Sequence, residues 1–155
     1  MRPSVEEQLS GTCRILETVV APAVAEPFAR TILESLIANL RMVSDALPAV
    51  PSFLRWDNAA TQDLLQKLRR ELPSDLAERI DTVLEAPEPD MLDSAAQNVR
   101  NHLLRTLLVQ AVCSPDLSPD LHRAIQQHMI ARASRVPMRY VPTAAPPAPT
   151  PTTRP

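Results

Sequence analysis

The chain carries 17 prolines and a single glycine, Gly11. That ratio constrains the fold more than any other feature. Sheet proteins need Gly at tight turns and bulges. This chain offers one, with only two Phe, one Tyr and one Trp to cover a sheet face. Between the prolines lie long runs of Leu, Ala, Arg, Glu and Gln, all strong helix formers. The expectation is an all-α chain: an irregular antiparallel bundle of five or six helices within residues 1–135, then a disordered Pro/Thr/Ala-rich tail over 136–155. The tail has no apolar periodicity with which to offset the entropy of ordering.

Start and stop signals divide the chain. Ser4-Val5-Glu6-Glu7 fits a capping box, and Val5, Leu9, Cys13, Leu16 and Val20 follow at helical spacing until Pro22 ends or kinks the helix. A second helix starts at Glu26-Pro27 and stops at Pro48. Its expected core stripe is Phe28, Ile32, Leu36, Leu40, Val43 and Leu47, widened by Leu33 and Ile37. Residues 48–51 read as a linker, with Asp57 or Asn58 capping a third helix that carries Leu64, Leu65, Leu68 and Leu72. Ser74 is the expected cap of a fourth helix bearing Leu76, Ile80, Val83 and Leu84. A fifth spans about 90–113 and is apolar on most sides after Leu103, which suits a central or interfacial helix. Ser118-Pro119 opens the sixth.

Composition narrows the compartment and the partners. A net charge of −2 argues against a general nucleic-acid binder. The most apolar stretch, 28–47, contains Arg30, Glu34, Arg41 and Asp45, which a membrane span would not tolerate. The first residues lack the apolar core of a secretory signal. The expected location is the cytoplasm, with no membrane and no nucleic-acid partner. Cys13 and Cys113 are expected to be buried free thiols.

No catalytic constellation is legible. His122 and His128 are six apart, on different faces of a helix, and no H-x-x-x-H or E-x-x-H pair exists. A Gly-rich phosphate loop is impossible with one Gly. No metal and no cofactor are expected. Ser94, Asn98, His102 and Arg105 form a polar stripe on the fifth helix. Asn98, His102 and Arg105 could hold an anionic group if the stripe is enclosed, or form a solvated face if it is not. Trp56 is either an interface anchor or a plug where a loop crosses the bundle. Leu33, Ile37, Trp56, Leu104 and Leu108 are the candidate interface residues, because the second and fifth helices carry more apolar surface than a small bundle needs.

The run Glu6-Glu7-Gln8-Leu9 through Ile15-Leu16-Glu17-Thr18-Val19-Val20-Ala21-Pro22, with the helix after it, resembles small uncharacterised bacterial all-helical proteins. Some of these are encoded beside aminoglycoside-phosphotransferase-like kinases and acyl-CoA dehydrogenases. The likeness covers about the first fifty residues. It implies a bacterial accessory protein of intermediary metabolism with no catalytic residues to carry over. The expected function is therefore a non-catalytic accessory or interaction protein that self-associates or binds a protein partner. The alternative is a small-ligand-binding or enzymatic helical domain using the polar groups of the fifth helix.

Overall fold

A computed structural model describes residues 4–115 and 117–138. Residues 139–155, which hold most of the expected tail, lie outside that description. All regular structure among the described residues is helical. The helices are α1 (Val5–Ile15), α2 (Pro27–Ala46), α3 (Val50–Leu68), α4 (Ser74–Glu85), α5 (Ser94–Val112) and α6 (Pro119–Arg135).

Several boundaries follow directly from local chemistry. Ser4 and Glu7 form the reciprocal capping box, each side chain bonding the other's backbone N–H. The Glu26 carboxylate caps α2 with Pro27 in the first turn, and Ser118 caps α6 with Pro119 behind it. Asp93 caps α5, so that helix starts after a turn at 90–93 rather than within it.

Pro22 lies in the last turn of the first helical stretch, as the sequence expects, whereas Pro48 and Pro51 depart from expectation. The chain widens into a π turn, Leu16–Val20, in which the Ala21 N–H reaches Leu16 O, and then adds one more turn, Ala21–Ala23. The wider turn accommodates a residue with no N–H and a bulky ring. Pro48 and Pro51 form no linker. Each sits in the first turn of a new helical segment, the 3-10 turn Leu47–Ala49 and then α3, where no N–H is required. Helix α3 consequently starts seven residues before Asp57, which lies inside it with Asn58 and caps nothing. Ser74 likewise caps nothing by its side chain. It is the first residue of α4, after Pro73 and an extended Leu72.

The hydrophobic core belongs to the second half of the chain. Leu64, Leu65 and Leu68 of α3, Leu76 and Ile80 of α4, Leu104, Leu107 and Leu108 of α5, and Ile125 of α6 form one cluster. Helix α3 packs on both α5 and α6. Each fully buried Leu or Ile contributes about 1.5–3 kcal/mol relative to exposure. The first half is a hairpin in which α1 packs on α2. Among its described residues only Cys13, Ala21, Ile37 and Ala46 are buried. The expected core stripe of α2 is only partly covered: Leu40 and Leu47 are half-buried, but Phe28 is 72% exposed and Leu36 53%, whereas Ile37 is 4% exposed. Cys113 is exposed, not buried; Cys13 is buried, and both thiols are free.

Candidate functional site

The polar residues that the fold buries lie between α3, α5 and α6. Asp57, Asn58 and Thr61 come from α3, Gln97, Arg100 and Asn101 from α5, and His128 from α6. The Asn101 amide donates to Asp57 Oδ2 at 2.8 Å and to Asn58 Oδ1 at 2.9 Å. The Asn58 amide donates to the Gln97 side chain at 2.9 Å and to its backbone carbonyl at 3.1 Å. Gln97 in turn donates to Pro89 O, which ties the α4–α5 connection to the network. Arg132 Nε reaches Asp57 Oδ2 at 3.0 Å and neutralises a fully buried carboxylate. Thr61 Oγ1 lies 3.4 Å from His128 Nε2.

Aromatic contacts seal the α6 side. The His128 ring stacks on Trp56, with centroids 6.4 Å apart, and the guanidinium groups of Arg135 and Arg132 lie over Trp56 and Phe53. Burial pushes the His128 imidazole below its ordinary range. The Arg132 charge acts in the same direction, and Asp57 opposes both. Arg100 extends to Val83 O near the C-terminal end of α4, where the helix dipole favours a cation. These side chains cross-link helices. Most of them are turned toward one another, and the edges of the network reach two surface grooves, one at Asn58, Gln97 and Arg100 and one at His128 and Arg132.

The predicted polar stripe lies one residue away from this network. Asn98, His102 and Arg105 are all exposed, whereas Gln97 and Asn101 are buried. His102 stands on the open face. Arg105 reaches a groove between α5 and α6 that His102 does not line. The sequence did contain a signal for the buried set. Gln97 and Asn101 continue the helical row of Leu104, Leu108 and Ala111, so the polar groups that share a face with leucines are the ones that go inside.

The five candidate interface residues are mostly internal. Leu104 is 0% exposed and Leu108 lies in the same core. Ile37 is buried and Leu33 half-buried along the α1–α2 contact. Trp56 is half-buried on α3 against α6, inside a helix and not in a crossing loop. In the hairpin, the exposed apolar surface lies on neighbouring positions. On α2 it includes Phe28, Ile32, Leu36, Met42 and Val43, on α1 Val5 and Ile15, and in the π turn that follows Val19.

Helical rotation of about 100° per residue places both rows on a single face. On each helix the row is turned in the same sense from the buried seam, Cys13 and Leu16 on α1 or Leu33 and Ile37 on α2. In an antiparallel pair that puts both rows on one side. The Glu17–Arg41 ion pair fixes the register, setting Ile15 near the level of Val43. Gln8, Thr12 and Asn39 fall on the same side, so this face carries no charge. Arg14, Glu17, Arg30, Glu34, Arg41 and Asp45 all turn to the other side.

The fold and its surfaces thus define an all-α protein made of a helical hairpin joined to a bundle with a polar network in its core. No family model, curated protein or solved structure matches this chain. No described helix is long and apolar enough to cross a membrane, and no cluster of three or more His, Cys, Asp or Glu among the described residues could hold a metal ion.

Proposed function

We propose that the chain is a non-catalytic interaction protein, an accessory component, and that its N-terminal hairpin is the element that associates. The observation carrying this reading is the uncharged apolar face of α1 and α2, on which Phe28 and Val19 are 72% and 64% exposed. Contiguous exposed apolar surface on a small protein marks an interaction site. The proposed occupant is the same face of a second copy. A face without charge has no electrostatic preference for an acidic or a basic partner, and it is complementary to itself about a two-fold axis. Two hairpins pressed together would form a four-helix arrangement, which covers both rows.

Light scattering coupled to size exclusion at micromolar concentration tests this. The expected mass is that of a dimer. The double substitution Ile32→Glu and Leu36→Glu alters two side chains that face solvent in the single chain, so it should yield a monomer with an unchanged helical spectrum. A monomeric mass for the unsubstituted chain would overturn the reading.

A further inference from the structure

The groove between α5 and α6 has a different chemistry from the hairpin face. Its volume is about 220 Å³. The apolar walls are Leu108, Val109 and Val112 from α5 and Ile125 and Met129 from α6, with the exposed Cys113 thiol beside Val112. One end carries Arg105 from α5 and Arg132 from α6, with the buried His128 beside them. The two helices run antiparallel, so Arg105 and Arg132 share one end, and Val112 and Ile125 share the other. The groove is therefore a polar end joined to an apolar channel, the general form of a small-molecule site.

The charges at the polar end do not cancel. Arg132 is paired through Nε with Asp57, which lies behind it and does not line the groove. Among the described residues Arg105 has no carboxylate partner within ion-pairing distance, and no acidic side chain lines the groove. Two arginines and one aspartate leave a single positive charge, which one monoanion would balance. A carboxylate suits the two guanidinium groups because both present N–H donors in a planar fork.

Length sets the remaining part of the ligand. From Arg105 to Val112 the helix rises about 10 Å. The volume is below that of a pocket for a drug-sized ligand, about 300–1,000 Å³. Both dimensions suit a short unbranched hydrocarbon chain.

We propose that this groove binds a small amphipathic monoanion, an acyl chain of about eight carbons ending in a carboxylate that sits between Arg105 and Arg132. The site is separate from the hairpin face, so it stands or falls independently of self-association.

The single Trp makes the test direct, because Trp56 stacks on His128 at the head end of the groove. The full chain is titrated with octanoate, with octanol and acetate as controls, and Trp56 emission is recorded alongside calorimetry. Octanoate is expected to give a saturable change with one site per chain. Octanol lacks the charge and acetate lacks the tail, so each should bind at least about tenfold more weakly.

Arg105 is exposed and outside the core, so Arg105→Gln should fold normally and weaken octanoate about tenfold. Val109 is an exposed wall residue. Val109→Glu places a carboxylate at the channel and should abolish the octanoate response without changing the helical spectrum. Absence of saturable octanoate binding would sink the proposal. So would equal binding of octanol, or an Arg105→Gln variant that binds octanoate as well as the parent chain does.

Discussion

The hairpin of α1 and α2 and the bundle of α3 to α6 both leave apolar side chains in solvent, among them Phe28 in the hairpin and Val109 and Ile130 in the bundle, yet they differ in how much they enclose. In the bundle, Leu65, Leu68, Ile80 and Leu104 are completely enclosed, and even the polar groups between the helices are enclosed with them. In the hairpin, one seam is closed and a second apolar row beside it is left open to solvent. The difference comes from the number of neighbours. Helix α3 packs against two other long helices, so an apolar sector on it is covered from two directions. Among the described residues, the long helix that packs on α2 is α1, and a single long partner covers only part of an amphipathic sector. A wide apolar stripe is therefore a core in one setting and an interface in the other.

This contrast can be broken most forcefully at the buried ion pair. Arg132→Met removes the charge facing a fully buried Asp57 and leaves a carboxylate with nowhere to go. The expected loss is about 3–5 kcal/mol in denaturant unfolding, and the added change Asp57→Asn should restore part of it. If the single change is neutral, the network does not hold α6 to the bundle.

Next in size are the enclosed leucines. Leu104→Ala and Leu107→Ala should each cost about 2–5 kcal/mol, measured the same way, because the surrounding helices cannot close the cavity.

A smaller effect comes from pH. His128 has a folded-state pKa below the 6.5 of a free imidazole, so below that pH the unfolded chain binds more protons than the folded one. Stability from this group is fully present above pH 6.5 and is lost as pH falls toward the folded value. The slope is at most about 1.4 kcal/mol per pH unit. Replacing His128 with Gln should flatten the melting-temperature profile between pH 7 and 5, and an unchanged profile would assign the pH response to other groups.

The smallest expected effect sharpens the comparison. Leu36→Ala should change the stability of the dilute monomer by no more than about 0.5 kcal/mol, as at other surface sites. The same substitution should weaken dimerisation measurably by light scattering. A loss of several kcal/mol in the monomer would show that the α2 row is covered within the chain.

The sequence by itself determined the helical class and most helix starts. The Ser4–Glu7 capping box, the Glu26-Pro27 start and the Ser118-Pro119 start depend on groups within four residues of one another, so local chemistry is enough to specify them. It also marked Leu64, Leu65, Leu68 and Leu107 as core, since an apolar residue on a long amphipathic run has few other places to go. What it left open was which side of a wide apolar sector is covered. On α2 the covered side is Leu33 and Ile37 and the open side is Ile32 and Leu36, the reverse of an expectation that made Ile32 and Leu36 core and Leu33 and Ile37 interface.

Asp57 and Asn58 show the same limit. Asx residues soon after a proline read as a cap, and only the continuation of helix through Pro48 and Pro51 moved them into the interior. Their partners, Asn101 and Arg132, lie 44 and 75 residues further along the chain. The shift from Asn98 and His102 to Gln97 and Asn101 has this cause as well. A step of one residue turns a side chain by about 100°, and the position of α3 against α5 decides which of two polar rows faces in. Burial is a property of the pair of surfaces in contact, and the second surface comes from a distant part of the chain.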